Sequence, residues 1–207
     1  MPLNPQTAQD NELGWKYRLA ESTRVNLRIF TTELRNEIIF DPLQQPWPAN
    51  INLEPTRRRG IDLDGSHRLS RQLLLGGVLS YKHADFVSGT HSGHAIPMVP
   101  RQTASLRAVW SLASQHTVSA YANLLGSQYV AGDFNNQLPK IGGYSTVDVR
   151  YAYKTRNLET SVMVRNLFNR GYFSYATDVA PGRDPKLISL YPDNLRNFMA
   201  VVKYTYQ

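Results

Sequence analysis

Two histidines, His91 and His94, share the segment Ser88-Gly89-Thr90-His91-Ser92-Gly93-His94, and imidazoles suit iron, copper or zinc. The segment itself carries no carboxylate and no helical pattern to fix the spacing. The pair therefore reads as weak metal candidates and, more simply, as a polar loop. Ser92 lies beside His94 without the Gly-x-Ser-x-Gly context or the orienting acid that a serine nucleophile needs, so hydrolase chemistry finds no support. The chain has no cysteine, which excludes thiolate catalysis, thiolate metal sites and a disulfide scaffold. No enzyme, resident metal or cofactor follows from these residues.

The other chemistry available is charge. Among 207 residues, 23 Lys and Arg face 16 Asp and Glu, a formal net charge of +7. Such an excess suits nucleic acid or anionic lipid, but the basic residues are scattered, and the one tight run, Arg57-Arg58-Arg59, is too short for a nucleic-acid stripe. Instead Lys16, Arg18, Arg24, Arg28, Arg107, Arg150, Arg165 and Lys203 fall at alternate positions, interleaved with Glu12, Asp62, Asp64, Asp148 and Glu159. One polar face lined with ions of both signs is the expectation. It would hold cross-strand ion pairs and, if it encloses water, would draw anions inward.

The elements that must carry this face are strands. Leu13, Trp15, Tyr17 and Leu19 alternate with polar neighbours, and the pattern recurs with Val25-Leu27-Ile29, Ile61-Leu63-Gly65, Ala104 to Trp110, Val118 to Leu124, Val147 to Tyr153, Leu158 to Val164 and Phe198 to Tyr206. A further segment, Leu73 to Lys82, is less clean because Leu74 and Val78 fall on the polar side. The reading is all-β, an antiparallel meander of about nine long strands. No apolar run is long enough for a membrane helix, and the mean hydropathy of −0.40 is no objection to strands that show lipid only every second residue.

The connections alternate strictly between short and long. Short turns lie near 20–23, 69–71, 113–115 and 154–156, and long polar loops near 41–55, 87–100, 132–143 and 176–195. Aromatic residues of the apolar face gather at the short-turn end: Trp15, Tyr17, Trp110, Tyr151, Tyr153, Tyr204 and Tyr206, with His67 in the corresponding place on the third strand. Long loops at one end and an aromatic row at the other are the pattern of an outer-membrane barrel with an interfacial girdle. A soluble all-β binding module would not confine its aromatics to one end.

Local motifs sharpen this. Thr56-Arg57-Arg58-Arg59-Gly60-Ile61-Asp62-Leu63-Asp64, Ile96-Pro97-Met98-Val99-Pro100-Arg101, Tyr144-Ser145-Thr146-Val147-Asp148-Val149-Arg150 and Asn166-Leu167-Phe168-Asn169-Arg170-Gly171-Tyr172 occur in this order, after the opening Leu3 to Thr7 and Asn11 to Gly14. Together they resemble the C-terminal part of the barrel of TonB-dependent outer-membrane receptors. Arg196 stands where that family has a strand-initial arginine, with Pro181-Gly182-Arg183 earlier in the last loop, and Gln207 follows the penultimate Tyr206.

The resemblance implies one barrel region over residues 1–207, the last nine strands of a barrel of about 22. Plug, signal peptide and first strands are not represented, so an open, curved sheet is expected. It also implies placement in the outer membrane of a Gram-negative bacterium, in contact with outer-membrane lipid and lipopolysaccharide. Energy-coupled uptake of a scarce ligand, most simply a ferric siderophore or other metal chelate, would run through the TonB complex. Nucleic acid is not an expected partner, and a passive porin or adhesin-type barrel is the alternative.

Overall fold

The computed structural model describes residues 2–41, 44, 46–178 and 187–206. Thirteen strands run in chain order: β1 (Thr7–Leu19), β2 (Thr23–Arg35), β3 (Ile38–Asp41), β4 (Ala49–Asn52), β5 (Thr56–Arg68), β6 (Leu73–Phe86), β7 (Gln102–Ala113), β8 (His116–Leu125), β9 (Tyr144–Lys154), β10 (Leu158–Arg165), β11 (Phe173–Asp178), β12 (Ile188–Pro192) and β13 (Asn197–Tyr204). Nine form one sheet, ordered β1-β2-β5-β6-β7-β8-β9-β10-β13, every neighbour antiparallel. All nine expected strands are present.

Two short hairpins, β3–β4 and β11–β12, stand apart from the sheet; β4 and β12 fall inside the loops expected at 41–55 and 176–195, while β3 and β11 begin before them. Ile38, Ile39 and Phe40 pair with Asn52, Ile51 and Asn50, a register too short to show in a periodicity search. The sequence motif Pro181-Gly182-Arg183 and the terminal Gln207 lie outside the described residues.

Register explains why one strand face is apolar throughout. Because side chains alternate, residues paired across neighbouring strands share a face. Leu13, Ile29, Ile61 and Tyr81 make one continuous row, and Trp15, Leu27, Leu63, Leu79, Ala104 and Leu124 make the next. Between them runs Gly14-Arg28-Asp62-Ser80, on the opposite face. Leu74 and Val78 do fall on the polar face, Val78 opposite Ser105 and Leu74 opposite Val109.

The apolar face is uncovered. Leu13 is 74% exposed and Trp15 69%. So continuous an apolar surface belongs against lipid or another protein rather than water. β1, β2 and β5 have 13 residues each, more than the roughly 10 that a tilted strand needs to cross a hydrocarbon layer.

Short connections of two to four residues join β1–β2, β5–β6, β7–β8 and β9–β10 at one end, and all the longer connections lie at the other. The buried apolar residues collect at the long-connection end. One cluster joins Leu53, Ala84, Phe86 and Ile96, and the second joins Val130, Leu138, Ile141 and Ala176. The hydrophobic core therefore lies within the loop layer instead of behind the sheet, and each fully buried side chain there contributes about 1.5–3 kcal/mol.

Candidate functional site

The register sets Lys16, Arg18, Arg24, Arg28, Arg107, Asp148, Arg150, Glu159, Arg165 and Lys203 on one face of the sheet, together with Glu12, Asp62 and Asp64. Arg28 is its best-connected cation. It reaches Glu12 at 3.2 Å and Asp62 at 2.7 Å, and its guanidinium lies 4.6 Å from the Phe30 ring centre. Ser80 Oγ donates to Asp62 at 2.6 Å. Glu159 stands 3.6 Å from Arg150 and 3.7 Å from Lys154. These are solvated pairs and order side chains more than they stabilise the fold.

A second group of cations lies apart from this ion-pair network. Arg18, Arg24, Ser66, Gly76, Arg107, Tyr121 and Asp148 form one cross-strand row, with Arg18 directly opposite Arg24. Like charges in that geometry repel. Among the described residues, Arg18, Arg24 and Arg107 have no salt-bridge partner, and Gly76 leaves the space beside which the Arg107 side chain runs. The row borders a hollow of about 660 Å³ whose wall includes Arg24, Asp64, Arg107, Tyr121, Asp148 and Met163. The hollow is open to one side, and its wall sets the two cations Arg24 and Arg107 beside the two carboxylates Asp64 and Asp148.

Asp148 has a different role from ion pairing: its Oδ1 accepts the Asn166 backbone N–H at 2.8 Å. Asn166, 4% exposed, adopts a φ of 50° and closes the start of the last long connection. Its Oδ1 accepts from the Arg170 N–H at 3.0 Å and its Nδ2 donates to the Arg170 carbonyl at 2.8 Å. Asn169, at φ 53°, accepts the Arg196 N–H at 3.0 Å just before β13 begins. The Asn-Leu-Phe-Asn segment is thus a latch between β10 and β13, and asparagine suits it because it tolerates positive φ and bonds its own backbone.

On the opposite face, Trp15, Tyr17, Trp110, Tyr151, Tyr153 and Tyr204 stand near the short turns, as their strand positions require. His116 Nδ1 lies 2.7 Å from the Tyr151 hydroxyl, and the His116 ring centre is 4.9 Å from that of Tyr153. Tyr206 lies past the end of β13, its ring centre 4.8 Å from that of Tyr204. His67 faces the same side and sits 2.8 Å from Thr23 Oγ1.

Above the sheet, the long connections pack on one another. Asn136 pairs through its side-chain amide with the Ala95 backbone, accepting at 2.6 Å and donating at 2.9 Å. Asp133 accepts the N–H groups of Gln137 and Leu138, each at 2.9 Å. The carboxylate of Glu54 accepts from the backbone N–H of Thr90 at 2.8 Å and of His91 at 3.0 Å. Burial pushes the Glu54 carboxyl up, but these bonds and the His91 ring outweigh it and hold the group below the usual carboxylate range.

The expectation that His91 has no carboxylate nearby is therefore corrected. Glu54 comes from the preceding long connection, too far away in sequence for any local signal to reveal. The His91 ring also lies 5.4 Å from Phe134 and 5.5 Å from Phe86, centre to centre. Among the described residues no group of three or more His, Cys, Asp or Glu is placed to hold a metal ion.

A smaller hollow of about 280 Å³ opens between this loop layer and the β3–β4 hairpin, walled by Ile39, Phe40, Met98, Val99, Phe134 and Tyr175. At its floor Arg58 meets Glu37 at 2.6 Å, and Thr56 Oγ1 donates to Glu37 at 3.1 Å. Burial first, then the neighbouring Tyr191, pushes the Tyr175 hydroxyl up, so it serves as a neutral phenol. Trp47 stands exposed on the loop surface, and Tyr191 packs edge-on against Tyr175 at 5.2 Å.

A family model described as TonB dependent receptor-like, beta-barrel matches residues 1–167. The fold resembles the ferric yersiniabactin uptake receptor FyuA from Yersinia pestis, with a TM-score of 0.75 and 21% identity over 95% of this chain and 29% of that one. It also resembles the copper transporter OprC, at 0.77 and 17% over 99% and 33% of the two chains. The unliganded ferric citrate transporter FecA gives 0.74 and 18% over 95% and 31%. The chain thus spans about a third or less of the length of these proteins. No curated protein sequence matches it.

Proposed function

The chain belongs to the TonB-dependent receptor β-barrel family, and on that premise we propose that it is a wall of an outer-membrane barrel for energy-coupled uptake of a scarce ligand. Family members are transporters and receptors of Gram-negative outer membranes, not enzymes. The ligand we favour is an anionic metal chelate, most simply a ferric siderophore. FyuA and FecA, receptors for ferric chelates, support that class, and the copper transporter OprC keeps other metals within it.

The observation that carries the proposal is the two-faced sheet: an exposed apolar side with aromatics near the short turns, and a polar side holding Arg18, Arg24 and Arg107, which have no salt-bridge partner among the described residues. In a closed barrel the first side meets lipid and lipopolysaccharide, and the second lines the lumen. The hollow between Phe40, Phe134 and Tyr175 is the proposed contact for the apolar parts of the ligand, since apolar walls with a few convergent polar groups suit small molecules. Energy coupling to the TonB complex is proposed for the whole receptor, through a plug domain.

The test is uptake of radiolabelled ferric siderophore into cells that express the gene carrying this chain, with and without functional TonB. Uptake that disappears without TonB supports the reading. Uptake that persists without it assigns a passive porin, and no uptake of any chelate removes the transport proposal.

A further inference from the structure

The Asn166 latch borders a hollow of about 340 Å³ at the long-connection end of the polar face. Its floor is strand. Asn123 opposes Thr146 across β8 and β9, and Arg165 opposes Asn197 across β10 and β13. Its rim comes from the last long connection, through Tyr172 just before β11 and through Asp193 and Asn194 just after β12. Tyr144, the first residue of β9, stacks on Tyr172 with ring centres 4.1 Å apart.

The rim is fixed from within. The Asp193 N–H donates to the Tyr172 carbonyl at 3.1 Å, and Asp193 Oδ2 accepts the Ser174 N–H at 2.9 Å. Asn166 Nδ2 donates to the Asn194 carbonyl at 3.3 Å. These bonds leave much of the side-chain capacity open. Among the described residues, the side chains of Thr146, Arg165 and Asn194 and the hydroxyls of Tyr144 and Tyr172 have no hydrogen-bond partner, and neither have Asp148 Oδ2 and Asp193 Oδ1.

Charge and hydrogen-bonding capacity narrow the occupant. One guanidinium against two carboxylates in the wall gives no net positive charge to hold an anion. Neutral groups predominate: asparagines, a threonine and two phenols. Burial first, then Asp193, pushes the Tyr172 hydroxyl up, so it stays neutral and can both donate and accept. A ring of adjacent hydroxyls meets this set group by group, because carboxylate and amide oxygens accept from it while guanidinium and amide nitrogens donate to it. The tyrosine rings add a flat apolar surface for its C–H groups. The volume falls at the lower end of the roughly 300–1,000 Å³ of small-molecule sites.

We propose that this hollow binds one pyranose unit of a free, neutral sugar. It shares no wall residue with the apolar hollow between Phe40, Phe134 and Tyr175. It is thus a second site of different chemistry, and it stands whether or not a metal chelate is the transported ligand.

The test is saturation-transfer NMR on the purified full-length protein that carries this chain, in a detergent without a sugar headgroup, with D-glucose, D-galactose and D-mannose as probes. At least one should bind with a dissociation constant of about 1 mM or below. Tyr172→Phe keeps the stacked ring and loses the hydroxyl, and Arg165→Gln removes an exposed guanidinium that bridges no carboxylate among the described residues. Both leave the bonds of the rim intact and should weaken the sugar, the first about fivefold and the second about tenfold. Arg156→Gln, in a short turn at the other end, should bind as the unmodified protein does. Sorbitol, which has the hydroxyls without the ring, should bind at least about tenfold more weakly than the best sugar. No binding of any of the three sugars, unaltered affinity in both variants, or sorbitol binding as tightly as the best sugar each overturns the site. Glycine bound in place of every sugar assigns the hollow to a zwitterion and overturns it as well. Binding rather than uptake is read, so failure here leaves the transport reading untouched.

Discussion

Glu54 and His91, 37 residues apart in sequence, are joined twice: the Glu54 carboxylate accepts the His91 backbone N–H at 3.0 Å and lies 3.1 Å from the His91 ring nitrogen Nδ1. Gly89 makes this possible. It has a φ of 90°, and a Cβ at that position would collide with the Glu54 carboxyl group.

Acid should loosen this loop. The Glu54 carboxyl is held below its ordinary range, so its bonds stabilise the loop at pH values above the unfolded carboxylate pKa. That stabilisation is lost as pH falls through the lowered folded value. Glu54→Gln should impose the loosened state at neutral pH, at about 1–2 kcal/mol of local opening free energy, seen as faster hydrogen exchange at Thr90 and His91. Gly89→Ala should do the same through strain and collision. Unchanged exchange in both variants would remove the carboxylate's role.

The latch at Asn166 separates side-chain bonding from backbone conformation. Asn166→Gly keeps the positive φ but loses the bonds to Arg170, at a cost of about 1–2 kcal/mol. Asn166→Ala loses both and should be worse by about 1 kcal/mol. Thermal unfolding in detergent checks the order; an Ala variant as stable as the Gly variant would show that the positive φ carries no cost.

Two arginines contrast exposed with half-buried pairing. Arg28→Gln removes solvated bridges to Glu12 and Asp62 and should cost under about 1 kcal/mol. Arg58→Gln leaves Glu37, whose side chain is 16% exposed, without its cation, and should cost about 2 kcal/mol or more. Denaturant midpoints in the reverse order would contradict the burial assigned to these pairs.

The sheet was legible because one apolar and one polar face enforce a period of two over every long strand, as Leu13-Trp15-Tyr17-Leu19 and Ala104-Leu106-Ala108-Trp110 show. The position of the aromatics near the short turns followed from counting connections. The loop layer was not legible, because its contacts are long-range. Asn136 meets Ala95 and Glu54 meets His91 only once the strands between them are aligned. The β3–β4 hairpin was missed because four-residue strands give too few alternations. Arg58 was readable in principle, since parity alone separates it from Arg57 and Arg59.

Charge on the outward face should block insertion. Leu106→Arg, in the middle of β7, should cost about 2–4 kcal/mol of folding into lipid vesicles, whereas Ser105→Arg on the polar face should cost little. Similar folding yields for the two would place Leu106 outside the membrane.

Whether one face of this sheet meets lipid and the other water can be read on β7 with single-cysteine variants, because residues 1–207 contain no cysteine. An environment-sensitive fluorophore is attached in turn at positions 104 to 108 of the membrane-inserted protein, and quenching by brominated lipid is read. Strong quenching is expected at Ala104, Leu106 and Ala108 and weak quenching at Ser105 and Arg107. Uniform quenching, or the opposite alternation, would contradict it.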